Sequence, residues 1–345
     1  MQNWLTPRSL YPLAYHNWSQ ITQAVAQAPV LSAQSYARGV QVKTLLKLAG
    51  GQLALFKPQR YARGHVVEGQ NEGADRHNGE IAAFHLARLL GLHRTPVVVG
   101  RRINLRQDIF RHADSDFVDS FFTNSQNQLC FYRKGKCAYC NRNYAACADS
   151  GTDELEGALI LLFPPSVQLK QLRHPWARTY RKDKRAQWEE DAKYCNVVSK
   201  QSYVGEAPIF LDLMDTAIFD FLIGNADRHR FEVVWNALLP QSMVFLLDNG
   251  KSFGDPKSDD LTILAPLYQC CRVRQKMYDT VQYYANEVNL AQSLDSHTKM
   301  DPLYPILTDE HLLAVNRRLQ KVASLLQVCV SRHGKDTVVL NDGFR

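Results

Sequence analysis

Apolar residues change period along this chain, and the changes mark its elements. Residues 41–57, QVKTLLKLAGGQLALFK, carry apolar positions on both sides of Gly50-Gly51. That pattern predicts two strands joined by a turn, with Lys57 at the end of the second. A polar, glycine-bearing loop follows. Asp75 is then placed to cap a helix whose apolar face is Ile81, Phe84, Leu86, Leu89 and Leu90, which stops at Gly91 and holds Glu80 in its first turns. A strand is expected around Pro96–Val99. After a polar stretch comes a segment with four cysteines, read as an insertion pinned by crosslinks rather than by a core of its own. Residues 157–163, GALILLF, are continuously apolar and end at Pro164-Pro165, as a buried strand leading into a stiff connector would.

Helical spacing dominates the second half. Between Pro208 and Ile223 apolar residues recur at Leu211, Met214, Ile218, Phe221 and Leu222, and the pattern breaks at Gly224-Asn225. The loop NADRHRFE comes next. The apolar run MVFLL at 243–247 reads as a short buried strand delivering Asp248 into the turn Asp248-Asn249-Gly250. Helix is expected again around 310–328. No internal repeat or low-complexity segment is present. The expected organisation is a segment over 1–35 packing on the core, an N-lobe over 36–156 with the cysteine-rich insertion at about 112–150, and a mostly helical C-lobe over 157–345.

Of the 345 residues, 45% are hydrophobic and 22% charged, the balance of an ordinary folded protein. The length suits one two-lobed domain or two tightly joined ones. No apolar run reaches the roughly 18 residues of a membrane span. The start, MQNWLTPRSLYPLAYHNW, lacks the basic-then-apolar order of a signal peptide. The expectation is that any targeting or anchoring segment has been removed from this chain or never existed.

The eight cysteines bear on the compartment. Cys130, Cys137, Cys140 and Cys147 crowd one irregular segment, while Cys195, the adjacent Cys270 and Cys271, and Cys329 spread over the second half. An even count suits four disulfides and an oxidising compartment. The competing reading is zinc on the Cys-x-x-Cys of Cys137 and Cys140, although the spacing is not that of a usual ribbon or finger. The sequon Asn17-Trp18-Ser19, a glycosylation acceptor, adds to the secretory reading. The net charge of +7 is partly local, in RHPWARTYRKDKR, where Arg173, Arg178, Arg181, Lys182, Lys184 and Arg185 interleave with Trp176 and Tyr180. A solvated basic face, a surface for an acidic or polyanionic substrate, and a nucleic-acid surface all fit such a cluster. A secretory address makes nucleic acid the least favoured, and none is expected as a partner.

A kinase must neutralise a triphosphate, hold a divalent metal and place a carboxylate beside the attacking hydroxyl. Lys57 at a strand end can reach phosphates. Glu80 on the next helix can pair with it or ligate metal. Asp227 sits in a polar loop after a buried helix, and Asp248 ends a strand one hairpin later, the order protein kinases use for their catalytic-loop and metal aspartates. Glu232, five residues after Asp227, falls where that loop carries a second metal ligand. Such oxygen donors suit Mg²⁺ or Mn²⁺. Each residue also has a plain reading: Lys57 as a snorkelling lysine, Glu80 as an exposed helix charge, Asp248-Asn249-Gly250 as a hairpin turn, His229 as structural. The ordered set carries more weight than any member.

At NADRHRFE and LLDNGKSFG the chain resembles the secretory-pathway kinases that include the Golgi casein kinase and the glycosaminoglycan xylosylkinase. The similarity extends through LFKPQRY, DRHNGEIAAFHLARLLGLHRTPVVVGR, CFYRKGKCAYC, RHPWARTY, FDFLIGNADRHR and ILAPLYQCCRVR, covering about residues 40–330. It implies an α+β, atypical protein-kinase-like, two-lobed fold with a disulfide-pinned insertion. It implies Asp227 as catalytic aspartate, Asp248 and Glu80 on the metal, and Lys57 on the phosphates, with ATP and Mn²⁺ or Mg²⁺. Glu232, Gln41 and Lys43 are implied as further nucleotide contacts, and Leu161, Leu162, Phe163 and Pro164 as the connector lining adenine. Implied pairs are Cys130–Cys147, Cys137–Cys140, Cys195–Cys270 and Cys271–Cys329.

Within the family, LFKPQRY, the long loop before DRHN, and RHPWARTY look more like the xylosylkinase members. These phosphorylate the 2-hydroxyl of xylose in the glycosaminoglycan–protein linkage region. The expected partner is then a galactosyl-xylose glycan on proteoglycan core proteins, in the Golgi lumen or secretory pathway, with a homo- or heterodimer among family members as a further option. Trp176 would suit sugar stacking and Arg178 and Arg181 an anionic glycan, with Trp176 as a core residue the alternative. Arg230 departs from the histidine expected in relatives and leaves every carboxylate in place. The competing functions are a protein kinase acting on serines in acidic contexts and a pseudokinase activator, and retention of Glu80, Asp227 and Asp248 argues against the latter.

Overall fold

The hairpin expected at 41–57 forms the middle of a five-stranded antiparallel sheet in the computed structural model of the chain, which describes residues 6, 8–12, 17–69, 72–165, 167–179, 181, 183–201, 204, 208–234 and 243–343. In chain order the strands are β1 (Val30–Ser35), β2 (Thr44–Leu48), β3 (Leu53–Pro58), β4 (Val98–Asn104), β5 (Phe121–Thr123), β6 (Leu129–Phe131), β7 (Ala146–Cys147) and β8 (Glu154–Leu161). The main sheet runs β1-β2-β3-β8-β4. Gly50 and Gly51, with φ of 88° and 84°, make the β2–β3 turn in the left-handed region that favours glycine. Lys57 stands opposite Ala158 of β8, which places it on a central strand.

Tyr11 and helix α1 (Trp18–Gln27) pack on α2 (His77–Leu89) through an aromatic cluster. Tyr11, fully buried, lies 4.7 Å from Trp18 and 6.2 Å from Phe84, ring centre to ring centre. Helix α2 is buried along nearly its whole length between this cluster and the sheet, and Gly91 turns the chain away at φ 68°.

The insertion is crosslinked as expected and has no separate core, since its buried rings pack on the main one. Its strands form the sheet β5-β6-β7, and Phe117, Phe121 and Phe131 make ring contacts at 5.0 to 5.5 Å. Phe117 and Phe131 are buried in continuity with the main core. Burying such a ring contributes roughly 1.5–3 kcal/mol, comparable to what a short crosslink adds.

All eight cysteines are paired as Cys130–Cys147, Cys137–Cys140, Cys195–Cys270 and Cys271–Cys329. The zinc reading falls, because no thiolate is left to ligate.

The C-lobe is built around α3 (Ile209–Ile223), buried on every side from Leu211 to Ile223. Such a helix must answer for each polar group it carries. Arg8, Arg94 and Arg274 converge on Asp212, with Nη–Oδ distances of 2.9, 3.4 and 2.9 Å. Arg274 also pairs with Asp215 and with Asp342 near the other end of the chain. Asp220, one turn before the helix ends, pairs with Arg228. Strands β9 (Leu169–Arg173), β10 (Arg230–Val234) and β11 (Val244–Phe245) form a second antiparallel sheet beside α3, ordered β11-β10-β9. The strand expected over 243–247 is thus only two residues long. Helices α4 (Ala265–Cys270), α5 (Gln275–Asn286), α6 (Leu290–Thr298) and α7 (Asp309–His333) complete the lobe, the last one longer than the 310–328 expected.

Candidate active site

Three elements bring carboxylates onto one ammonium. Lys57 Nζ lies 2.9 Å from Asp75 Oδ2, 2.6 Å from Glu80 Oε1 and 2.5 Å from Asp248 Oδ1. Lys57 projects from β3 and is 4% exposed; Glu80, in the first turn of α2, is 2% exposed. Asp248 is the open member, with 72% of its side chain accessible, so the cluster has a closed floor and a solvent-facing mouth. The plain readings of Lys57 as a snorkelling lysine and Glu80 as a surface charge do not hold, since both are buried and paired.

The electrostatics follow from this crowding. Burial alone would lower the Lys57 pKa, but Asp248, Asp75 and Glu80 outweigh it and hold it well above the ordinary value. Burial pushes Glu80 up against the pull of Lys57, while the Lys57 ammonium holds Asp248 well below the usual carboxylate range. Glu80 therefore depends on a nearby cation to stay ionised.

Asp75 was expected to cap α2, and it does not. The N-cap is Arg76, which makes no side-chain cap bond, and the Asp75 carboxylate turns inward to Lys57 instead. It also lies against Gly250, where a Cβ would come within 2.7 Å of Asp75 Cβ and Cγ. Gly250 has no positive φ, so its glycine answers a close approach rather than the hairpin turn that Asn-Gly suggested. The backbone N–H of Arg76 donates to Gly250 O at 2.7 Å, and a Cβ at Gly79 would meet Ser252 Oγ at 2.5 Å. The start of α2 is thereby fastened to the 248–252 turn. Asp248 itself sits at φ 55°, a conformation Asp tolerates better than most residues.

The second carboxylate loop begins where α3 stops, at Gly224 with φ 69°. Asn225 accepts the Asp227 N–H on its side chain at 3.1 Å, and Asp227 Oδ1 lies 3.5 Å from His229 Nδ1. That contact with Asp227 raises the His229 pKa above its ordinary value. Arg228 points inward. It donates to both oxygens of buried Asp220 at 2.7 Å, to Asn249 Oδ1 at 2.8 Å and to Leu247 O. One guanidinium therefore ties α3, the Asp227 loop and the Asp248 turn together. The sequence pointed to no site role for Arg228 or Asp220 and to Asn249 only as a turn residue, because their joint role depends on a contact between segments some twenty residues apart.

Gln41 and Lys43 precede β2 rather than lying on it; the Asp75 N–H donates to Gln41 Oε1 at 3.4 Å. Burial, then the neighbouring Lys57, lowers the Lys43 pKa, and its ammonium has no carboxylate within 4 Å among the described residues. Glu232 on β10 accepts from Gln171 Nε2 at 2.7 Å, and Arg230 donates to the same Gln171 at 2.9 Å. Leu161 ends β8; Leu162 N–H donates to Leu53 O at 2.9 Å, and the Phe163 ring lies 5.0 Å from that of Phe245, so the connector to Pro164 bridges the two sheets. Asn17 is exposed at the start of α1.

Trp176 is 5% exposed within a core cluster and donates to Gln269 Oε1 at 2.7 Å. The core alternative is the one its burial supports, and with Arg178, Asn225 and Ala226 it also lines a small cavity. Arg178 is held by Asp260 at 2.8 Å, and Arg181 pairs with Asp183 on the surface. A cavity of about 240 Å³ is lined by Ala226 and Gly250, from the two loops, and by Glu72, Arg76, Lys251 and Asp255. Tyr180 and Lys182 of the basic cluster fall outside the described residues.

A divalent cation fits this donor set. Glu80 and Asp248 supply two hard oxygen donors from different elements, already gathered on a cation, and one of them is exposed toward the mouth. Two protein carboxylates leave room for phosphate oxygens and water on the same ion.

A family model described as Golgi casein kinase, C-terminal, Fam20 matches residues 1–338. The human glycosaminoglycan xylosylkinase is 46% identical over 340 residues, which cover 98% of this chain and 81% of that protein. The solved structure of hydra Fam20 with sugar superposes with a TM-score of 0.94 at 43% identity, covering 99% of this chain and 97% of the other. The Golgi casein kinase with Mn/ADP bound superposes at 0.90 with 30% identity, covering 98% of this chain and 83% of the other.

Proposed function

The chain belongs to the Golgi casein kinase Fam20 family, and on that premise we propose that it transfers the γ-phosphoryl group of ATP to the 2-hydroxyl of xylose in the glycosaminoglycan–protein linkage region. One observation carries the kinase chemistry: Asp75, Glu80 and Asp248 converge within 2.9 Å of the Lys57 ammonium, beside a loop that carries Asp227. Likeness to a glycosaminoglycan xylosylkinase at 46% identity, and to a sugar-bound relative, supports a glycan acceptor.

In this reading Asp227 accepts the proton of the attacking hydroxyl, and Asn225 and Arg228 hold its loop in place. Glu80 and Asp248 hold the metal, with Glu232 as a further contact. Mn²⁺ or Mg²⁺ supplies charge neutralisation across the phosphates. Lys57 and Lys43 face the phosphates, Gln41 steadies the loop ahead of Asp75, and Leu161–Pro164 line the adenine. The cavity between Ala226 and Gly250 gives the acceptor room, with polar walls suited to hydroxyl groups.

Four disulfides and the secretory-pathway kinases among its relatives support a Golgi-lumenal address, with glycosylation at exposed Asn17. No helix among the described residues is long and apolar enough to cross a membrane.

The test offers ATP with Mn²⁺ or Mg²⁺ and, in parallel, a galactosyl-xyloside and an acidic serine peptide, with Asp227→Ala as control. Phosphate at the xylose 2-hydroxyl, located by NMR, is the expected result. Phosphate on the peptide alone would give the protein-kinase reading, and no transfer with either metal would give the pseudokinase.

A further inference from the structure

We propose that Asp75 is the positioning residue for Lys57: it retains the ammonium when Glu80 and Asp248 turn to the metal, and so keeps those two carboxylates available. The inference rests on the reading that Glu80 and Asp248 hold a divalent cation.

The charges state the problem. One ammonium among three carboxylates leaves a net charge of −2, which a single divalent ion cancels. The same ammonium, however, already occupies Glu80 at 2.6 Å and Asp248 at 2.5 Å. A metal entering there meets a competitor of like charge, and that competitor needs another anion nearby. Asp75, at 2.9 Å from Lys57 Nζ, is the remaining one.

Asp75 is also built to stay put. It is 8% exposed, its N–H donates to Gln41, its carboxylate is pressed on Gly250, and the next residue is bonded to Gly250 O at 2.7 Å. Asp248, by contrast, is open at the mouth. Because α2 takes no side-chain cap from Asp75, the carboxylate is free of helix duty and is used by Lys57.

The measurement is Mn²⁺ binding to the nucleotide-free protein, read from loss of the aqueous Mn²⁺ EPR signal, for wild type, Asp75→Asn, Lys57→Met and the double variant. Melting curves confirm that each is folded at the temperature used. Asp75→Asn is expected to weaken Mn²⁺ binding about fivefold or more in the wild-type background. In the Lys57→Met background the same change should matter less than about twofold, since no ammonium is left to compete. Gly250→Ala, whose Cβ would displace Asp75, should reproduce the weakening and stands in if Asp75→Asn does not fold. An equal loss in both backgrounds would make Asp75 a metal ligand or a general charge and overturn the proposal. Unchanged binding in Asp75→Asn would overturn it alone, whereas no Mn²⁺ binding by wild type would overturn the metal reading with it.

Discussion

Lys57 Nζ and Asp248 Oδ1 lie 2.5 Å apart across 191 residues of chain, so the lysine read as a phosphate contact and the aspartate read as a metal ligand are counter-ions of each other. Their burial differs, and so should their substitutions. Lys57→Met strands buried Glu80 without its cation and is expected to cost about 3–5 kcal/mol of stability along with activity. Asp248→Asn leaves Lys57 two other carboxylates, so the loss of stability should be smaller than that of Lys57→Met while transfer is lost. Denaturant unfolding beside a transfer assay separates the two; equal destabilisation would contradict the geometry.

Asp227 is half-buried, and its carboxylate lies 3.5 Å from the His229 ring. Asp227→Asn should lower kcat by about 10²- to 10⁴-fold, the usual weight of a general base. Affinity for Mn-ADP and the melting temperature should both hold. A matching loss of nucleotide affinity would move Asp227 from the acceptor to the metal.

Arg228 joins Asp220 to the Asp248 turn. Arg228→Met leaves Asp220 buried without its partner, a loss of about 3–5 kcal/mol. Asp220→Asn with Arg228→Met removes both charges and should recover part of that stability, while transfer stays impaired because the two loops are no longer tied. Full recovery of transfer in the double variant would show that Arg228 serves stability alone.

The His229 pKa is raised through its contact with Asp227, so the imidazolium persists above pH 6.5. Its stabilising contribution is fully present below the unfolded value of about 6.5 and is lost as pH rises through the folded pKa. While protonated, it also draws on the carboxylate expected to accept the proton. The kcat of wild type should therefore rise through a step above pH 6.5, and His229→Ala should lack that step. A profile with the same step in both proteins would assign it elsewhere.

The crosslinks should differ in weight by the loops they close. Cys271–Cys329 spans 58 residues and Cys137–Cys140 only 3. Loop-closure entropy gives about 4 kcal/mol for the first and about 1.5 kcal/mol for the second. Paired Cys→Ser variants compared by denaturant unfolding should follow that order, and a larger loss at Cys137/Cys140 would reverse it.

Much of the fold was legible because period and turn chemistry are local. The β2–β3 hairpin shows in its Gly-Gly turn, α3 in its helical spacing and its stop at Gly224, and the order Lys57, Glu80, Asp227, Asp248 in their places at the ends and first turns of elements. Resemblance added the cysteine pairs, which spacing left open. What the sequence by itself determined is thus the set of elements and the residue types at their ends. Tertiary structure alone decided that Asp75 faces Lys57 rather than capping its helix, that Gly250 makes room for that carboxylate, that Arg228 spans two loops, and that Trp176 is core. Each of these is a contact between distant segments. A residue's type limits what it can do, but which partner it meets depends on how the sheet, α2 and α3 pack, and a buried charge accepts only the partner that packing puts within reach.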